Sequence, residues 1–429
     1  LEKLMQTHLS ADQHATTLGE SIIEVDRSGV AASLSRRVSN PLPAEGLRLA
    51  LFSGNYNCVK DGANNALNRL VRYMLDRGAA VRVYSPTVAR PAFEPEGDLV
   101  SVPSIPIPLR PEYRLTTGLS KRVEEDIRRF QPTLLHLAAP DALACRAMKL
   151  GRTLGIPVVS SLHTRFETYF EFYGLGFVRG LIEWHLKRFY SGCDAVLVPN
   201  EALGDELRKN CPGVPVSLWG RGVDREQFSP LRRDMAWRRS LGFADSDIVV
   251  LFFGRLVREK GVGVYEQVMK RVLAANPSVR ALVVGDGPAG QEMRRNLGNA
   301  VFTGHLQGDE LGRAVASADI LLNPSVTEAF GNVNLEAMAA GLAVVSADSA
   351  SARALIETGE NGMLLPATDI DRYVEALEWL AANPGQRLAL GKAAQHAAWR
   401  FDWDGVLLTV FDTYQMLGGV RGQAALRPL

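Results

Sequence analysis

Asn323-Pro-Ser-Val-Thr-Glu-Ala-Phe-Gly-Asn-Val-Asn-Leu-Glu-Ala-Met-Ala-Ala-Gly341 is the stretch from which the rest of the chain is read. Before it comes a short apolar run, Ile320-Leu321-Leu322, whose composition predicts a buried parallel strand. A loop holding Pro324, Thr327 and Gly331 follows, and then a helix rich in Ala, Leu and Met that stops at Gly341. Glu328 stands in the loop and Glu336 in the first turns of the helix. Amides from Gly331, Asn332, Val333 and Asn334 would point at anything bound at that helix start, and the helix dipole favours an anion there. The junction therefore offers amides for a phosphate and carboxylates for sugar hydroxyls.

Outward from this junction, apolar runs of strand length alternate with amphipathic helical patterns along most of the chain. Leu47–Phe52, Ala80–Ser85, Leu134–His136, Val158–Ser161, Ala195–Val198 and Val216–Leu218 read as strands of one doubly wound parallel sheet. The stretch from Trp219 to Pro230 has no periodicity, so residues 219–230 are expected to link two domains. Alternation restarts at Ile248–Phe253 and continues to Met363–Leu365, followed by helices without strands. The expected organisation is a poorly ordered tail over 1–44, a Rossmann-like domain over 45–218 and a second over 231–402. A terminal helix over 403–429 packs back toward the first domain. Two such α/β sheets facing one another place a ligand in the cleft between them, at the carboxyl ends of the strands.

Composition removes several classes. A chain of 429 residues with 46% hydrophobic and 22% charged residues reads as a globular α/β protein with two domains. A formal charge of +1 argues against bulk nucleic-acid binding. The first domain is mildly basic, with 22 Lys and Arg against 18 Asp and Glu from Glu45 to Leu218, which weakly favours an anionic surface as partner. The four cysteines are scattered, so neither zinc nor a disulfide framework is expected and a cytoplasmic location is the simple reading. No apolar run approaches the ~18 residues of a spanning helix, and the first 44 residues do not read as a signal peptide.

Three further motifs carry chemistry. Gly254-Arg-Leu-Val-Arg-Glu-Lys260-Gly261 follows a strand and opens a helix, placing Arg255 and Lys260 where they could clamp a diphosphate; the alternative is a solvated basic loop. Val284-Gly-Asp-Gly-Pro-Ala-Gly290 is a literal GxGxxG, yet Pro288 sits inside it and the next strand ends in Gly304-His305 without a carboxylate. A dinucleotide site is therefore not expected; a close backbone approach to a nucleotide and a plain tight turn both stay open. His163 follows a strand and precedes the aromatic run Phe166–Tyr173, as a packed residue or a site residue. The helical stretch around 178–190 suits either a membrane-surface helix or a buried helix with a charged edge. A nucleophile elbow, HExxH and a Walker A loop are all absent from the sequence.

From about Leu47 to Trp403 the chain resembles the retaining nucleotide-sugar glycosyltransferases with two Rossmann-like domains, the GT-B fold. It is most similar to the large family 4 type (group 1) that includes lipid mannosyltransferases, sucrose synthases and sulfoquinovosyl-diacylglycerol synthases. The motifs that carry the resemblance are Gly254-Arg255…Glu259-Lys260-Gly261, Val284-Gly-Asp-Gly-Pro288, Arg221-Gly-Val-Asp224 and Thr327-Glu328 through Glu336 to Gly341.

The resemblance implies that Glu328 contacts hydroxyls of the donor sugar and that Glu336 holds the ribose. It gives Arg255 and Lys260 the diphosphate, helped by amides from Gly331 to Val333, and sets His163 beside the donor sugar as a catalytic residue. The donor site it implies also takes in Gly62, Gly254, Gly285, Gly287, Phe330 and Asn332. Where the family has a Gly-Gly pair on the acceptor-side loop, this chain has Asp61-Gly62-Ala63. No obligatory metal or other cofactor is implied, and Asp245-Ser-Asp247, which precedes its strand, is poorly placed for Mg²⁺.

His163–Gly174 and Trp219–Asp224 look like the branch of sulfoquinovosyl-diacylglycerol synthases and lipid mannosyl- or glucuronosyltransferases. The expected function is retaining transfer of a mannosyl, glucosyl or glucuronosyl unit from a UDP- or GDP-sugar. The expected acceptor is a membrane lipid such as diacylglycerol or ceramide at an anionic, cytoplasm-facing surface. The same chemistry on a soluble or polysaccharide acceptor, a nucleotide-sugar epimerase and a non-enzymatic nucleotide-sugar binder are the alternatives.

Overall fold

The computed structural model describes residues 44–59, 62–107, 110–162 and 179–424. The expected tail, apart from Ala44, and His163 with the aromatic run after it lie outside the described residues.

Seven strands form the first sheet. They are β1 (Arg48–Phe52), β2 (Ala80–Ser85), β3 (Asp98–Ser101), β6 (Leu134–Leu137), β7 (Val158–Ser161), β8 (Ala195–Val198) and β9 (Val216–Leu218), in the order β3-β2-β1-β6-β7-β8-β9. Between β3 and β6, β4 (Ser104–Ile107) and β5 (Arg110–Thr116) pair as a separate antiparallel hairpin. The second sheet holds β10 (Ile248–Phe253), β11 (Val279–Val284), β12 (Val301–Gly304), β13 (Ile320–Asn323), β14 (Ala343–Ala347) and β15 (Met363–Leu365). Its order is β12-β11-β10-β13-β14-β15, all parallel. Apart from the edge strand β12, these strands are largely buried on both faces, which is why they read as continuous apolar runs rather than alternating ones.

Helices in the first half are α1 (Gly62–Asp76), α2 (Lys121–Phe130), α3 (Ala142–Leu154), α4 (Arg179–Tyr190) and α5 (Glu201–Asn210). In the second half they are α6 (Met235–Ser240), α7 (Val262–Ala275), α8 (Gly290–Asn296), α9 (Gly308–Ala316), α10 (Asn332–Ala339), α11 (Ala350–Arg353), α12 (Ile370–Ala382), α13 (Pro384–Ala398) and α14 (Trp403–Ala424). Side-chain caps set many of their starts: Asp141 accepts from the Ala144 amide at 2.8 Å and Asn200 from Leu203 at 3.0 Å. Among the described residues no helix is long and apolar enough to cross a membrane.

Contacts divide the described chain into two compact units, one running to Val159 and resuming at Tyr414, the other from Ser160 to Thr413. This cut does not coincide with the 219–230 linker of the sequence reading. Within the first unit, buried His136 on β6 is hydrogen-bonded through Nδ1 to the Tyr414 hydroxyl. The sequence predicted no element between Ser85 and about Thr117, where β3, β4 and β5 lie. An edge strand is covered on one side only, and the hairpin exposes its cross-strand pair Ile105 and Leu115, so neither leaves the pattern of a buried strand.

In the second unit one ionic knot organises the amino ends of the sheet. The Arg238 side chain, only 1% exposed, donates to Asp319 at 2.9 Å and to the carbonyls of Ser317 at 2.9 Å and Asp247 at 2.6 Å. Asp319 also accepts from Arg233 at 2.6 Å and from the Val249 amide at 2.8 Å. This joins α6 to the starts of β10 and β13. Asp319→Ala leaves the Arg238 guanidinium without its counter-ion in the interior and is expected to destabilise the unit by about 3–5 kcal/mol. Urea denaturation measures it, and a midpoint close to that of the wild type would remove the knot from the stabilising contacts.

Candidate active site

The order of the second sheet reverses beside β10: β11 and β12 lie on one side of it, β13 to β15 on the other. At such a switch point the loops leaving two neighbouring strands diverge and open a crevice at their carboxyl ends. The loop after β10 carries Arg255 and Lys260, and the loop after β13 carries Glu328 and leads into α10.

Three glycines let these loops approach. A Cβ on Gly261, whose φ is +73°, would stand 2.7 Å from the Pro324 carbonyl oxygen, so only glycine lets the 3₁₀ turn Arg258–Lys260 rest on the β13 loop. Gly285 and Gly287 do the same for the loop after β11. A Cβ there would meet the Gly254 oxygen at 1.9 Å and the Leu256 oxygen at 2.5 Å. Hydrogen bonds from Leu256 N to Asp286 O and from Ala289 N to Leu256 O, both 3.0 Å, lock the two loops together. A helix does open at the third glycine of the GxGxxG, Gly290. The motif is nevertheless spent on packing one loop against another, and β12 ends without a carboxylate. At Gly285 and Gly287 the positions that a Cβ would take are occupied by protein backbone.

Resting the turn on the β13 loop brings opposite charges together. Lys260 Nζ pairs with Glu328 Oε1, with the two side chains 27% and 16% exposed. Beside them the Thr327 hydroxyl donates to the Glu259 carbonyl at 3.0 Å. Arg255, on the same loop, is exposed and has no side-chain partner among the described residues. Gly254, with φ +134°, turns the chain out of β10.

Gly331, with φ +93°, stands at the start of α10, and no side chain caps that start. The first amides of the helix, from Asn332 onward, have no capping side chain among the described residues. Nearby, Asn332 Oδ1 is buried and has no hydrogen-bond partner. Beneath runs a buried polar chain that the sequence reading did not find. Asn323 donates to Asn334 Oδ1 at 2.8 Å, Asn334 donates to the Ser346 hydroxyl at 3.0 Å, and Asn323 Oδ1 accepts from the Ser325 amide at 3.3 Å. It ties the end of β13, the first turn of α10 and β14 into one block. An Asn inside a buried helix turn and another ending an apolar strand were the available signals. Asn200, also unforeseen, caps α5 and donates to the Ala329 carbonyl at 2.9 Å.

The Phe330 ring does not line the site. It is buried edge-on against Phe401, with centroids 6.1 Å apart, and lies over Gly220. The ring anchors the loop that carries Glu328. Gly62 opens α1 in the other unit. Among the described residues no group of three or more His, Cys, Asp or Glu could hold a metal ion.

Glu336 is half-buried on α10, and its carboxyl is pushed up to about 8, first by burial and second by the charge of Glu328. The two carboxylates thus differ: Glu328 has a cationic partner, while Glu336 lies in an environment that favours its neutral form.

Comparison with known proteins bears on this arrangement. Residues 247–383 match the family model described as glycosyl transferases group 1, and residues 60–227 match glycosyltransferase family 4. The chain is similar to a sulfoquinovosyl transferase, SQD2, of Arabidopsis thaliana, 31% identical over 83% of this chain and 71% of that one. It is also similar to a GDP-mannose-dependent alpha-mannosyltransferase of Mycolicibacterium smegmatis, 31% identical over 88% of this chain and 100% of that one. Among solved structures, Anabaena HepE in complex with UDP and glucose superposes with a TM-score of 0.66 over 86% of this chain and 99% of that one, at 19% identity, a likeness of fold.

The Glu336 shift has a consequence for stability. A glutamate of ordinary value 4.5 that is raised to about 8 on folding binds more protons in the native than in the unfolded chain between those values. Native stability therefore falls as pH rises through that window and levels off above it. Glu336→Gln, which does not ionise, should gain denaturation midpoint relative to wild type from about pH 5 to about pH 8 and keep a constant margin beyond. A margin independent of pH would show that Glu336 titrates normally.

Proposed function

As the chain belongs to the group 1, family 4 type glycosyltransferases and has their GT-B fold of two Rossmann-like halves, we propose that it transfers a hexosyl unit from a UDP- or GDP-sugar, with retention and without a metal, to a membrane lipid. The observation that carries this is the Lys260–Glu328 pair beside the uncapped start of α10. A nucleoside diphosphate needs a cation, free amides and, for its sugars, carboxylates to accept from hydroxyls, and the switch point holds all three within two loops.

Lys260, with Arg255, takes the diphosphate, and the amides at Asn332 and Val333 take its remaining oxygens. A diphosphate that reaches Lys260 competes with Glu328 for it. Exchange of that counter-ion releases the Glu328 carboxylate toward the hydroxyls of the donor sugar. Glu336, held up by burial, is matched to the ribose: a carboxyl at the edge of ionisation both accepts from and donates to a diol. In the transfer step the bond between the anomeric carbon and the phosphate oxygen breaks as the bond to the acceptor oxygen forms on the same face. The departing phosphate oxygen takes the acceptor's proton. No side-chain nucleophile is required, so the protein supplies position and charge stabilisation. His163 is assigned the side of the donor sugar by resemblance.

The lipid acceptor is supported by a 23% identical relative in Streptococcus pneumoniae that is named an alpha-monoglucosyldiacylglycerol synthase. A nucleotide donor is supported by a mannosyltransferase named as GDP-mannose-dependent and by a fold relative that binds UDP.

A panel of UDP- and GDP-sugars offered with diacylglycerol or ceramide tests the reading directly; absence of both binding and turnover across the panel defeats it. Two variants test the counter-ion exchange. Lys260→Ala should weaken binding of the bare nucleoside diphosphate. Glu328→Gln should cut transfer by roughly a hundredfold or more while binding that diphosphate at least as tightly as wild type, because Lys260 is set free. Equal weakening of diphosphate binding by both variants would show that the pair acts only as a structural bridge.

A further inference from the structure

Helix α4 (Arg179–Tyr190) sits in the second compact unit with one side buried: Phe189 and Tyr190 are each 3% exposed, and His185 stacks on Phe189 with centroids 6.5 Å apart. The opposite side of such a helix is expected to be polar. It is not. Leu181 and Trp184, three residues apart and therefore on one stripe, are 67% and 59% exposed. One turn further the same stripe carries Arg188, whose guanidinium lies 5.9 Å from the centre of the Trp184 ring, and Lys187 is exposed beside it. The helix sequence holds three basic residues, Arg179, Lys187 and Arg188, against one acidic, Glu183.

We propose that this stripe of α4 is a membrane-docking surface that seats Leu181 and Trp184 in the interfacial layer of an anionic bilayer, with Lys187 and Arg188 against the headgroups. The choice of occupant comes from the chemistry. A protein partner would be expected to meet an apolar core ringed by polar side chains of either sign. Here two apolar side chains are followed by Arg188 on the same stripe and Lys187 beside it, with Glu183 the one carboxylate of the helix, and one of the two is a tryptophan, whose ring and N–H suit the boundary between acyl chains and headgroups. A helix with one apolar stripe edged by Lys and Arg lies in the plane of that boundary. Each basic group adds attraction to an anionic leaflet that salt screens. So small an apolar contact makes attachment reversible, which suits an enzyme that collects a water-soluble donor and a lipid acceptor in turn. The proposal deepens the lipid-acceptor reading but is tested without it.

The test is sedimentation of the full chain with phosphatidylcholine vesicles containing about 30% phosphatidylglycerol, and with phosphatidylcholine alone, at about 0.1 M salt. Wild type should bind the anionic vesicles and lose them as salt rises. Leu181→Ser/Trp184→Ser should bind both kinds at least tenfold more weakly, in line with the loss of two buried apolar side chains. Arg188→Glu should lose only the preference for the anionic vesicle. Wild-type indifference to both vesicles overturns the proposal, as does a double variant that binds like wild type. A wild-type dimer in sedimentation velocity that the double variant abolishes also overturns it, by assigning the stripe to a second copy of the chain. Turnover of detergent-dispersed lipid acceptor should be the same in the double variant and wild type. Turnover without vesicle binding sinks the docking surface alone, whereas vesicle binding lost in the double variant, without turnover of any nucleotide sugar, keeps the docking surface and sinks the transferase assignment.

Discussion

Lys260 and Glu328 lie far apart in sequence and come from loops leaving two adjacent parallel strands. Bringing them into an ion pair requires that both loops turn toward each other at the one place in the sheet where the strand order reverses. Much of the surrounding structure serves that approach. Gly261 gives up its side chain so that the turn can rest on Pro324, and Thr327 bonds back to Glu259. Partly buried, the pair offers little net stability, since the attraction mostly offsets desolvation. Its structural effect is to hold the turn Arg258–Lys260 against the loop after β13.

The second constraint is the start of α10. A helix end with no capping side chain leaves amides unsatisfied. The chain tolerates this because the turn is held from below by Asn323, Asn334 and Ser346. Buried polar groups bonded to one another are stiff, and this block supports the turn that carries Glu336, whose carboxyl is raised first by burial and second by the charge of Glu328. Glu328 is thus paired with a cation, while Glu336, of the same residue type, is held toward its neutral form by burial.

Fold class and most of the strands were legible because parallel strands buried on both faces leave apolar runs that survive in any reading. The hairpin and β3 were not legible, because β3 and β4 are half exposed and both hairpin strands contain a proline, Pro106 and Pro111. Within the site, Lys260, Glu328, Glu336 and the amides after Gly331 were singled out from the sequence, and the structure pairs Lys260 with Glu328 and leaves the start of α10 without a capping side chain. The packing of the Phe330 ring on Phe401, and of Gly285 and Gly287 on the backbone of Gly254 and Leu256, was not legible. A side chain's direction is set by what packs against it, which no single stretch of sequence records. Asn323, Asn334, Ser346 and Asn200 were missed for the same reason: each becomes informative only once its partner from another element is known.

The sequence by itself determined the alternation of strands and helices, the glycines at the turns and the presence of cations and carboxylates at loops where anions bind, because these follow from local pattern and backbone geometry. Only the tertiary structure decided that Glu328 faces Lys260, that the GxGxxG is a packing device and that α4 turns Leu181 and Trp184 outward. Each of those depends on contacts between residues distant in the chain, where burial and charge are set by neighbours that the local sequence does not name.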